Sequence, residues 1–225
     1  MVTSVAAETS EDVSAPGGPA APTLRPARRF GVAGLAIAVV VGLLLGYAGG
    51  LLTPTLTKPG NDSVEAGFAR DMTTHHSQAV TMGLRAFEAA TNGEVRQLGV
   101  DIAASQQGDI GVMQTWLRSW NLDPTRSGPP MAWMPDGPSM VSADGLMPGM
   151  ATRDEMDQLE TTTGVELDIL FLELMRDHHL GGVHMADALL DAGGNDEVRA
   201  VAQTMKNTQQ TELGTIQALL AEVRG

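Results

Sequence analysis

All five histidines of this 225-residue chain fall in two short stretches, MTTHHSQAVTM at 72–82 and MRDHHLGGVHM at 175–185. Each stretch sets an adjacent histidine pair between two methionines: His75 and His76 between Met72 and Met82, His178 and His179 between Met175 and Met185. Imidazole nitrogens and thioether sulfurs are both metal donors, and a thioether favours monovalent copper. The chain has no cysteine, so disulfides and thiolate ligands are excluded and histidine, methionine and carboxylate remain. Two readings are open. The pairs could form a metal site, or they could be core residues held by polar neighbours, with methionine as ordinary filler of a helical interior.

The elements that would position these residues are themselves duplicated. A constant offset of 103 lays Phe68 on Phe171, His75-His76 on His178-His179, Glu94-Val95-Arg96 on Glu197-Val198-Arg199, and Gln106-Gln107 on Gln209-Gln210. Upstream it lays Glu65 on Asp168. Such ungapped agreement marks an internal repeat. Each copy breaks once, at ATNGE and at AGGNDE, where glycine stops a helix and Asn or Asp caps the next. The spacing therefore predicts helices near 63–90, 94–120, 164–192 and 196–223, with Asp62-x-x-Glu65 and Thr163-x-x-Glu166 as starting capping boxes. Two αα-hairpins that cover each other make an all-α, ferritin-like four-helix bundle. The connection at 122–160 is long, rich in proline and glycine, and suits a crossover that returns along a helix. Thr152-x-x-Glu155 predicts a short helix near 153–160 within it.

At helical spacing Phe68, Met72, His75, Ala79 and Met82 share one face, with His76 and Glu65 on its flank. Phe171, Met175, His178, Gly182 and Met185 repeat that face, with His179 and Asp168 on the flank. Ala79 and Gly182 are expected to let the two stripes meet closely, and Gln106, Asp109, Gln209 and Glu212 are expected to orient imidazoles. His184 points the other way and reads as a solvated residue. Met131, Met134, Met140, Met147, Met150 and Met156 of the connection are either further soft donors or side chains that pack the loop onto the bundle.

The front of the chain differs in composition. Residues 1–29 are rich in Ala, Pro, Ser and Gly, as expected of a disordered tail. Residues 30–52 carry no charge and follow Arg25, Arg28 and Arg29, which predicts a transmembrane anchor with the tail in the cytoplasm. The alternative is a secretory signal peptide. With 53–61 as linker, residues 62–225 are then expected outside the cytoplasm of a single-pass protein of the cell membrane, as hairpins 62–121 and 161–225 around the connection 122–160. The formal charge of −13 argues against nucleic acid as a partner.

The motif F-x-x-x-M-x-x-H-H at 68–76 and 171–179, Q-x-x-[DE]-[IL] at 106–110 and 209–213, and MPGM at 147–150 together resemble the domain-of-unknown-function family 305 over residues 62–223. The resemblance implies a ferritin-like helical bundle, exported or membrane-anchored, with copper binding in some members. Carried over residue by residue, it implies Glu65, Met72, His75, His76, Met82, Asp168, Met175, His178, His179 and Met185 as candidate metal positions. Gly182 departs from the alanine usual after the second pair.

Three functions follow as expectations. The first is a membrane-anchored extracytoplasmic protein that binds or buffers copper without turnover. The second is an acidic accessory module of a membrane protein complex or homo-oligomer, with structural histidines. The third, a di-iron carboxylate enzyme, needs Glu-x-x-His, and Met72 and Met175 stand where those glutamates should be. Nucleophile elbows, phosphate loops and HExxH are absent from the sequence as well.

Overall fold

A computed structural model describes residues 31–56, 58–125 and 128–225. The expected tail at 1–29, with its three arginines, lies outside the described residues. The chain divides into two units, Met1–Pro54 and Thr55–Gly225.

Val32–Leu56 forms α1, nearly all of it in the first unit, and its large apolar side chains, Val32, Leu35, Leu44 and Tyr47 among them, are exposed. Among the described residues no helix is long and apolar enough to cross a membrane. The expected anchor at 30–52 is corrected accordingly, and with it the membrane partner, the single-pass topology and the location at the cell membrane that rested on it.

The second unit is all-α. Its long helices are α2 (Val64–Ala89), α3 (Gly93–Ser119), α6 (Val165–Ala192) and α7 (Asp196–Arg224), with α4 (Gly137–Met140) and α5 (Arg153–Thr161) in the connection. α2 pairs with α3 and α6 with α7, and the two pairs meet chiefly through α2 and α6. The caps follow the repeat where it is local. Asn92 accepts from the backbone N–H of Glu94 and Val95, and Asn195 accepts from Glu197 and Val198. Thr152 and Glu155 form the expected capping box of α5. The two expected boxes of the long helices are replaced: Ser63 caps α2, and Gly164, at φ 74°, precedes α6 without a side-chain cap. Gly83 and Gly99 let α2 and α3 touch, since a Cβ on either would strike the carbonyl oxygen of the other.

The core falls into two apolar clusters. Met82 and Met175 pack with Phe171, Leu167 and Ile216, while Met72 and Met185 pack with Phe68, Met113 and Leu117. The offset of 103 exchanges these pairs, so one cluster is the internal counterpart of the other. Met131, Met134 and Met147 of the connection are buried in the second cluster, and Met150 and Met156 pack half-buried against the core. Five of the six loop methionines therefore fasten the connection to the helices. Met140 stays exposed.

Candidate functional site

The four paired histidines form a polar layer in the second unit, each with 0% relative exposure. Helical period places them there, because His75 and His178 lie on the faces with which α2 and α6 oppose each other. Their rings approach to 3.8 Å between centroids, tilted by 37°. His178 Nε2 donates to the carbonyl of His75 at 3.0 Å. His75 Nε2 donates to the carbonyl of Pro148 at 3.2 Å, rather than to the equivalent carbonyl of His178.

The connection causes that break in symmetry. At MPGM the loop backbone lies on α6: a Cβ at Gly149, whose φ is 79°, would strike the carbonyl of Asp177, and one at Gly181 would strike the carbonyl of Pro148. The position of the first copy equivalent to Gly181 is Gln78. Its amide clasps the same loop, donating to Ala151 O at 2.8 Å and accepting from Ala151 N at 2.7 Å. One copy thus yields space to the loop while the other holds it, and Pro148 is delivered to His75.

The flanking histidines face acids on the outer helices. His179 Nε2 lies 2.6 Å from Glu212, and His76 Nε2 lies 3.4 Å from Asp109, a looser contact. A carbonyl can only accept, so Nε2 of His75 and of His178 carries the proton and Nδ1 of each bears a lone pair. Burial, aided by the neighbouring His76 charge, lowers the His75 pKa to about 3. Burial also lowers His76, against the pull of Asp109, and lowers His178 well below its ordinary value, with His75 next in effect. These three rings are neutral at pH 7.

Other expected site residues are placed elsewhere. The Asp168 carboxylate accepts the backbone N–H of Thr91 and of Asn92, both at 2.8 Å, at the turn of the opposite hairpin. Glu65 does the same at the other turn, accepting Asn195 N at 3.0 Å. Met72, Met82, Met175 and Met185 are fully buried in the two apolar clusters. The atoms nearest a Cβ at Gly182 belong to the Gln209 amide of α7. A small residue there admits a polar side chain.

Sequence reasoning missed Pro148, Gln78 and Asp71. Asp71 accepts Met131 N at 2.6 Å and Trp133 Nε1 at 3.1 Å, which sets the Trp133 ring edge-on to Phe68 above Gly67. An acid at a helical position usually faces water, and only its 1% exposure distinguishes this one.

Among the described residues no three or more His, Cys, Asp or Glu side chains gather so that they could hold an ion. The Nε2 atoms of His75, His178 and His179 already have protein partners. The expectation of a membrane-anchored copper-binding or buffering protein is corrected on both grounds, the missing span and the missing cluster.

The model of a family described as a domain of unknown function, DUF305, matches residues 65–220. A crystal structure of a DUF305 protein from Streptomyces coelicolor is 40% identical, with 74% of this chain and 97% of that one covered at a TM-score of 0.67. A DUF305 fragment from Deinococcus radiodurans is 29% identical, with 71% and 96% covered at a TM-score of 0.59. CopM in its Cu(I)-bound form is 22% identical, with 72% and 99% covered at a TM-score of 0.56, and shares the fold. No curated protein matches the chain. With the family model spanning both hairpins and the doubled histidine motif at their centre, this chain belongs to the DUF305 family.

Proposed function

We propose that the protein is a non-catalytic, acidic accessory module that works through protein interaction, its histidines serving to hold the bundle together. One observation carries this reading: the Nε2 atoms of His75 and His178 are spent on backbone carbonyls that tie the connection to α2 and α2 to α6. A buried neutral imidazole used in this way is a cross-brace. The surplus of 27 acids over 14 bases leaves a surface suited to a basic partner. Thermal unfolding in chelator tests the reading. His75→Ala with His178→Ala should melt well below the parent, whose melting should be the same with chelator or with copper.

A second reading assigns to this chain the copper seen in CopM. The observation that favours it is that Nδ1 of His75, His76, His178 and His179 is buried without a hydrogen-bond partner, as are both amide atoms of Gln106. Lone pairs left so are costly, and a soft cation would satisfy them. On this reading one equivalent of copper raises the melting temperature of the parent and not that of the double variant.

A further inference from the structure

The two copies part company at the start of α2. Phe68 and Met72 recur as Phe171 and Met175, but the neighbouring Gly67, Arg70 and Asp71 fall on Leu170, Glu173 and Leu174. The helix pairs themselves therefore do not require a glycine and two buried charges there, although Arg70 is 5% exposed and Asp71 1%. What distinguishes the first copy is the connection, which lies on it: Trp133 stands over Gly67, where a Cβ would strike its side chain. Beside that contact remains a cavity of about 260 Å³, whose walls include Asp62, Gly67, Arg70, Asp71, Ala132 and Trp133. Fastening the loop explains the bonds of Asp71 but not the space, since interiors are close-packed and a joint that only fastens would be filled.

We propose that this cavity binds a small zwitterion, an α-amino acid with an apolar side chain. Arg70 would take its carboxylate. The guanidinium donates Nε to Asp123 O at 2.9 Å, Nη1 to Asn61 O at 3.0 Å and Nη2 to Asn61 Oδ1 at 2.8 Å. A guanidinium has five N–H donors, so among the described residues one N–H on each Nη has no partner, and the fixed planar fork suits a carboxylate. Asp62 would take the ammonium: it is exposed at the rim, and its hydrogen bond comes from Asn61 Nδ2 at 3.2 Å rather than from Arg70. Trp133 and Ala132 offer apolar surface to the side chain. Charge decides against a simple acid, because Asp62 and Asp71 outnumber Arg70 in the wall and repel a net anion, whereas a zwitterion is neutral overall. Size limits the ligand to a single residue, as the cavity is smaller than the roughly 300 Å³ at which ligand pockets begin. The site bridges α2 and the connection, and none of the four buried histidines lines it.

The test is a titration of the full-length, metal-free protein, followed by NMR at the Trp133 indole N–H. The probes are L-leucine, L-methionine and L-phenylalanine, against 4-methylpentanoate, which lacks the ammonium, and 3-methylbutylamine, which lacks the carboxylate. The expected result is a saturable shift with at least one amino acid, and binding weaker by about tenfold or more for both analogues. Asp62→Asn should weaken the amino acid about tenfold and leave 4-methylpentanoate no weaker, and Ala132→Trp, which fills the cavity, should abolish binding. Both residues are exposed, so both variants should unfold at the temperature of the parent. No saturable shift with any of the three amino acids, 4-methylpentanoate bound as tightly as the amino acid, or undiminished binding in Asp62→Asn would each overturn the proposal.

Discussion

Asp168 separates a structural carboxylate from a metal-ligating one, and its replacement by alanine makes the difference measurable. The side chain is 1% exposed and accepts two backbone N–H groups, of Thr91 and Asn92, where α2 turns into α3. A hydrogen bond to a charged group contributes about 1.5–3 kcal/mol, and two give about 3–6 kcal/mol. The turn is partly open to water, which can take over part of the lost pairing, so the expected loss is about 2–4 kcal/mol. For a unit of this size each kcal/mol lowers the melting temperature by about 2–4 °C, which predicts a fall of roughly 5–15 °C. Glu65→Ala at the opposite turn removes a single such bond, to Asn195, and should lower the midpoint by about half as much. The assay is thermal unfolding by circular dichroism, in chelator and again with one equivalent of copper. Losses equal in both conditions are expected. A melting temperature within about 2 °C of the parent, or a loss confined to the copper-loaded sample, would refute the assignment.

Gly149→Ala puts a Cβ against the Asp177 carbonyl at a φ of 79° and should withdraw Pro148 from His75, with a cost of at least about 2 kcal/mol read as a lowered denaturant midpoint; an unchanged midpoint would show that the loop is not wedged there. Gln78→Ala removes two hydrogen bonds to Ala151, and faster amide exchange at Ala151 checks that the clasp holds the connection. The histidine layer predicts a pH dependence. His75 is lowered in the folded state to about 3, so the unfolded chain binds the proton first; stability is full above about pH 6.5 and falls as pH drops towards 3. By pH 5 this one group costs about 2 kcal/mol. Urea midpoints between pH 7 and pH 5 should show that slope, and His75→Ala with His178→Ala should flatten it.

The parts legible in the sequence were those governed by local rules. Asn92 and Asn195 cap because an asparagine before two free backbone N–H groups has one favourable place to go, and Thr152 with Glu155 forms its box for the same reason. Helical period put His75 and His178 on facing surfaces, and the offset of 103 made their pairing readable from the order of residues alone. What failed to show was the long-range partner of a polar side chain. Nothing in the neighbourhood of Asp168 indicates that its carboxylate reaches the turn of the other hairpin, and nothing near Gly182 says that Gln209 fills the space. Pro148 was invisible because its contribution is a backbone carbonyl, which every residue has. The loop methionines were ambiguous since a thioether serves equally as filler and as donor, and only their burial decides for five of them.

The central claim, that His75 and His178 are neutral cross-braces, is tested most directly by the 15N shifts of their imidazoles in the metal-free protein. The account predicts that His75 and His178 carry the proton on Nε2 with Nδ1 bare, that neither titrates between pH 7 and pH 5, and that one equivalent of copper leaves both signals in place. Protonation on Nδ1, titration near pH 6.5, or joint movement of the four histidine signals on adding copper would contradict it.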